Sequence, residues 1–134
     1  MDGSYKRGGN NKQLNVLGGD LELCSSSDDN NEIVTGFYRD NCCNTGPNDF
    51  GLHTVCCIMT KSFLNFSKSV GNDLSTPIPE YNFKGLKEGD HWCLCASRWQ
   101  EAFEAGKAPK VVLKSTNIAT ISVVKLENLK KYTA

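Results

Sequence analysis

Residues 53–59, HTVCCIM, form an apolar run bounded by polar and turn-forming residues and rich in side chains that suit a pleated surface. The run predicts a strand. Alternation along it puts His53, Val55, Cys57 and Met59 on one face, and Thr54, Cys56 and Ile58 on the other. The period then changes. Met59, Phe63, Phe66 and Val70 recur at helical spacing and Leu64 widens the stripe, which predicts a helix near residues 60–70. Thr60 can cap its start and Gly71 can stop it. The same sequence of events repeats downstream. HWCLCAS, residues 91–97, predicts a strand with Trp92, Leu94 and Ala96 on one face and His91, Cys93 and Cys95 on the other. Ser97 with Gln100 makes a capping-box signature for a helix whose stripe is Trp99, Ala102 and Phe103, closed by Gly106 and Pro109. KVVLKST, residues 110–116, predicts a further strand. ISVVKLENLKKY predicts a last strand followed by a helical turn.

Polar stretches separate these elements. Residues 1–13 are rich in Gly, Asn and Lys and predict a solvated tail, leaving 14–134 as one globular domain. NVLGGDLELC offers a short extended piece broken by Gly18 and Gly19, and residues 25–32 are a polar loop. Residues 71–90 make a long loop with two prolines, and long loops in compact domains often carry function. Short links between mixed elements favour an α+β fold, a two-layer sandwich in which a small mixed or antiparallel sheet is covered by helices on one face.

Length and charge narrow the function. A chain of 134 residues is one domain that can bury a core without staples. Lys plus Arg and Asp plus Glu balance at 15 each, which argues against nucleic acid as a partner, and no apolar run approaches a membrane span. A small molecule or a protein is the expected partner. The N-terminus lacks the apolar core of a secretory signal. With 7 cysteines, an odd number, that favours a reducing, cytoplasmic home, with thiols or metal ligands expected before disulfides.

Cys93 and Cys95 point the same way along a strand, about 6.5 Å apart at Cα, without the converging Cβ vectors of a disulfide. They are not expected to bond to each other. A transition metal such as zinc could bridge two such thiolates at about 2.3 Å, with further ligands drawn from Cys43, Cys56, Cys24 and His53. The spacing is not that of common zinc sites, and the competing reading is that these cysteines fill the core as small hydrophobes. Trp92 and Trp99 have the same choice between core and the wall of a cleft. Arg39, beside Asp40, and Arg98 could grip a carboxylate or phosphate, or pair within the fold. Asp73, Ser75 and Thr76, with Glu80 and Tyr81 beyond, could bind a polar ligand or hold their own loop in a turn. Two functions remain. The first is a ligand- or partner-binding module with a cysteine-lined, metal-binding site. The alternative is a small thiol enzyme or redox protein using Cys93 or Cys95 with His91. Either site belongs where the loop 71–90 meets the strand 91–96 and the segment 39–56.

NVLGGDLELC, TGFYRD, GNDLSTP and GDHWCLCASRW together resemble one family of small proteins, the domain of unknown function DUF2237. The resemblance spans roughly residues 14–132 and implies a two-layer α+β sandwich without an established activity, substrate or cofactor. It also implies that Cys24, Cys43, Cys56, Cys93 and Cys95 occupy the family's usual cysteine positions, that Cys42 and Cys57 are local additions, and that Asn117 stands where members often carry His.

Overall fold

The computed structural model describes residues 12–25 and 33–134. The tail over 1–11 and most of the polar loop 25–32 lie outside the described residues. Gln13 already belongs to the fold. Its side-chain amide donates to the Thr45 carbonyl at 2.9 Å, and its oxygen accepts from Asn117 Nδ2 at 2.6 Å.

Among the described residues the architecture is α+β: a three-stranded antiparallel sheet with three α-helices. In chain order come β1 (His53–Ile58), α1 (Lys61–Ser69), β2 (His91–Cys95), α2 (Ala96–Glu104), β3 (Lys110–Val111) and α3 (Leu126–Lys130). The sheet order is β2-β1-β3, so the strand with the densest apolar run is central. Cys56 faces Cys93 across the β1–β2 pair and Cys57 faces Trp92. The face carrying Val55, Cys57, Trp92 and Leu94 packs with Phe63 and Leu64 of α1 and Trp99 and Ala102 of α2 into the main core. The opposite face carries Cys56 and Cys93, which form a second cluster with Cys24 and Cys43, covered by Val112. The expected alternation is present from Val55 onward, while a register irregularity between His53 and Val55 interrupts it at the start of β1.

α1 starts where expected: Thr60 Oγ1 accepts from the Phe63 amide at 3.1 Å, satisfying one of the helix's free N–H groups. Gly71 follows its C-cap in the left-handed region, at φ 92°.

Three expectations need correction. The capping box at Ser97 is not used. β2 stays paired to β1 as far as Cys95, and the Ala96 amide then bonds the Leu52 carbonyl at 2.9 Å, so α2 begins two residues early with Cys95 at its N-cap. Ser97 falls inside the first turn, and Gln100 turns to Glu104 at 2.9 Å. The strand over 110–116 ends after Val111. Thr116 Oγ1 donates to the Val112 carbonyl at 2.9 Å, and the Ser115 amide donates to the same carbonyl at 3.1 Å, which closes a 3₁₀ turn over Leu113–Ser115. No strand forms at the start of ISVVKLENLKKY, residues 121–132: a 3₁₀ turn, Ile118–Ser122, begun by Asn117 Oδ1 accepting from the Ala119 amide at 2.9 Å, runs into it. In the last two cases a hydroxyl or amide side chain offers the backbone a local partner that competes with the sheet ladder.

Candidate functional site

Two disulfides, Cys24–Cys56 and Cys43–Cys93, hold the back of the sheet, while Cys42, Cys57 and Cys95 are outside any disulfide. This corrects the expectation of thiols or metal ligands before disulfides, and it sits oddly with a reducing compartment. Cys43, Cys56 and Cys93, expected as metal ligands, are half-cystines here and offer no thiolate. The expectation that Cys93 and Cys95 do not bond to each other holds. Cys56 and Cys93 are cross-strand neighbours on one face of the sheet, and the segments that bring Cys24 and Cys43 over this face supply each with its partner.

At the edge of the sheet opens a cleft of about 480 Å³. Arg39, His53, Cys95 and Arg98 line it together with Phe37, Trp92, Leu94, Asn72 and Leu74. Loop 71–90, strand β2 and the segment 39–56 do meet here. What each contributes differs in part from expectation.

The segment before β1 supplies Arg39 and His53. Gly36 turns the chain at φ 100°, and a Cβ there would come within 2.6 Å of the Cys42 carbonyl oxygen. Arg39 itself sits at φ 58°, a conformation that costs a non-glycine residue energy and that the surrounding bonds enforce. Its amide bonds the Gly36 carbonyl at 2.9 Å, and Asn41 ties back to Thr35 through both its amide and its side chain. The result lays the Arg39 guanidinium 5.6 Å from the Trp92 ring centroid, a cation–π contact. Asp40 faces its own loop instead, accepting from the Cys42 amide and from Asn44 Nδ2, each at 3.1 Å. It is a positioning group for the loop.

His53 is held by Asp49, a residue the sequence showed only as a turn former. The Asp49 carboxylate is buried and accepts from the His53 amide at 3.0 Å, from Thr45 Oγ1 at 2.9 Å and from His53 Nδ1 at 2.7 Å. A donor at Nδ1 leaves Nε2 as the acceptor nitrogen. Phe37 stacks on the ring at 6.1 Å. His53 and Cys95 are register partners across the sheet, and both line the cleft. Cys95 Sγ lies 3.3 Å from Ser97 Oγ. His91, expected as the partner of a thiol, is engaged elsewhere: its Nδ1 bonds the Cys24 carbonyl at 2.6 Å.

α2 supplies Arg98, which is half-buried and ion-paired to Glu101 at 3.1 Å. Among the described residues, no carboxylate lies within ion-pairing distance of Arg39, and no acidic residue lines the cleft.

The loop 71–90 gives Asn72 and Leu74 to the cleft, while its expected polar set stays outside. Asp73 Oδ2 accepts from Thr76 Oγ1 at 2.6 Å, and Oδ1 accepts from the Ser75 and Thr76 amides at 2.9 and 3.2 Å. The Thr76 hydroxyl, then the Ser75 amide, hold the Asp73 carboxyl below the usual carboxylate range. These three residues make a turn on the surface, and Glu80 is exposed beyond it. Asn117 is a buried tie whose Nδ2 also donates to the Cys43 carbonyl at 3.1 Å, joining the third strand's exit to the cystine layer.

The three cysteines outside the disulfides differ in environment. Burial pushes the Cys57 thiol well above its ordinary range, and Cys42 is also buried, whereas Cys95 is partly open to the cleft. Maleimide labelling without reductant should therefore modify Cys95 alone in the native protein, and Cys42 and Cys57 as well after unfolding. Counting labels by intact mass checks this, and a second label in the native protein would contradict the burial described.

The chain matches the family described as "Uncharacterized protein conserved in bacteria", DUF2237, over residues 14–133. No match to the chain is found among curated proteins. Among the described residues no helix is long and apolar enough to cross a membrane.

Proposed function

The chain belongs to the DUF2237 family of proteins conserved in bacteria, and from that premise, which brings no reaction with it, we propose that it is a binding module for a small anionic ligand seated in the cleft at the sheet edge. The observation that carries this reading is the pair of guanidiniums, Arg39 and Arg98, in a cleft that no acidic residue lines among the described residues. Arginine presents paired donors to carboxylate or phosphate, and a low-dielectric wall strengthens the attraction. Trp92, Phe37, Leu74 and Leu94 add apolar surface, which suits a ligand with an organic body as well as a charged end. The strained backbone at Arg39 supports the same reading, because such conformations persist where the surrounding fold fixes a side chain for use.

Calorimetric titration with inorganic phosphate, succinate and citrate tests it. At least one should bind, and Arg39→Ala should weaken that binding by about 10-fold or more, the usual worth of a hydrogen-bonded charge. Binding by none of the three, or equal binding by Arg39→Ala and Arg98→Ala, would overturn the proposal.

A second reading is favoured by the register of His53 with Cys95. In it Cys95 is a nucleophile and His53, oriented by Asp49, is its base. An activated ester of a short dicarboxylic acid would acylate Cys95 with release of the alcohol, and water would then free the acid. Cys95→Ala separates the two readings: it ends ester turnover under the second and spares anion binding under the first.

A further inference from the structure

We infer that the cystine layer behind the sheet is, in its reduced form, a zinc site built from Cys24, Cys43, Cys56 and Cys93. This site is separate from the cleft and uses none of the residues assigned to ligand binding there.

Cys24 is the hub. Its sulfur is bonded to that of Cys56 and lies within 4.8 Å of those of Cys43 and Cys93. A ring nitrogen of His91 lies within the same distance of the sulfurs of Cys24 and Cys56. In a tetrahedral zinc–thiolate centre, with bonds of about 2.3 Å, neighbouring sulfurs are about 3.8 Å apart. The sulfurs of Cys24, Cys43 and Cys93 are thus gathered close to the spacing of a zinc centre, and on reduction the Cys56 side chain, grouped with Cys24 and His91, has to rotate toward them to take the fourth position.

The backbone under each cysteine is held independently of the disulfides. The Cys24 amide donates to the Asn41 carbonyl at 2.8 Å. The Cys43 carbonyl accepts from Asn117 at 3.1 Å. The Cys56 amide donates to Thr116 Oγ1 at 3.1 Å, and the Cys93 amide donates to Thr35 Oγ1 at 2.8 Å. The β1–β2 ladder adds the pairing of Cys56 with Cys93. Reduction removes two covalent bonds and leaves these anchors, so the four thiols stay gathered and buried. Buried thiolates held together in this way are the donor set zinc prefers, and the absence of an open position marks a structural rather than a catalytic ion.

The chemistry balances as follows. Each disulfide takes two electrons and two protons from a dithiol reductant, which closes to its own cyclic disulfide. The four thiols formed then give four protons to solvent as one Zn²⁺ enters, leaving a tetrathiolate centre of net charge −2. Metal and oxidant compete for the same sulfurs, so the two closed states exclude each other.

The test uses the full chain, reduced with dithiothreitol and freed of it without oxygen, then titrated with Zn²⁺ and separately with Co²⁺. One ion should bind per chain, and cobalt should give the visible bands of tetrahedral thiolate coordination. The disulfide form should give neither. Cys24→Ser should weaken zinc by more than about 100-fold, since even outer partners of a metal site are worth 10–100-fold. Cys42→Ser, outside the set, should bind as the wild type does. A reduced chain that takes no zinc, equal binding by the oxidised chain, or wild-type affinity in Cys24→Ser would each overturn the inference. The wild-type comparison stands even if a variant fails to fold.

Discussion

Replacing Cys43 and Cys93 together by alanine will lower the unfolding free energy of the oxidised protein by about 4 kcal/mol, the chain-entropy estimate for a loop of this length. The bond closes a sequence separation of 50 residues, against 32 for Cys24–Cys56, so it restrains the unfolded chain more. It also fixes the central region of the molecule. Cys93 lies on β2, and Cys43 lies between the turn that aims Arg39 and the Asp49 that holds His53. Urea unfolding of the variant and the wild type, without reductant, measures the loss. The two loops interleave along the chain, so each bond shortens the loop the other closes, and a variant lacking both disulfides should lose more than the sum of the two separate losses. A fall below about 1 kcal/mol would mean that the bond does not constrain the unfolded chain as this pairing requires.

Trp99→Ala will cost about 3–5 kcal/mol, the range for removing a large aromatic from a closed core. Trp99 is fully buried on α2. Its ring stacks on Phe103 at 5.4 Å and meets Tyr132 edge-on at 5.7 Å, while Nε1 donates to the Pro109 carbonyl at 3.3 Å. The Tyr132 carbonyl accepts from the Val111 amide at 2.8 Å. One ring therefore ties α2 to the C-terminal segment and to β3. The melting temperature should drop by about 10 °C or more for a domain of this size. Trp99→Phe, which keeps the stacking and loses the hydrogen bond, should cost clearly less. Equal melting of Trp99→Ala and the wild type would show that the ring does not close this core.

The sequence made some of this legible for local reasons. The helical spacing of Phe63 and Phe66 after Thr60 lies in adjacent residues and needs no tertiary knowledge. The separation of Cys56 and Cys93 from Cys57 onto opposite faces follows from the two-residue period of a strand. The place of the cleft was readable too, because the loop 71–90 enters β2 and must pass its edge.

The rest depended on long-range partners. The disulfide pairing joins loop cysteines to strand cysteines, and spacing alone leaves the connectivity open. Ser97 with Gln100 carries the right residues for a cap, but strand pairing to Cys95 set the helix start earlier. Asp49 sat in a run of turn formers. Its only signal was its place four residues before His53, and the burial that makes it matter was invisible. Asp73, Ser75 and Thr76 carried chemistry-bearing side chains, yet their own backbone amides were the nearest partners.

The interleaving of the two disulfides has a consequence for proteolysis. One bond spans 24 to 56 and the other 43 to 93, so together they bridge every peptide bond from Cys24 to Cys93. A protease that cuts once anywhere in that stretch, including the exposed loop 71–90, releases no fragment. The nicked chain keeps its mass apart from one added water, and the pieces part only when the sulfurs are reduced. In the oxidised state a single cut anywhere over more than half of the sequence leaves the molecule covalently one.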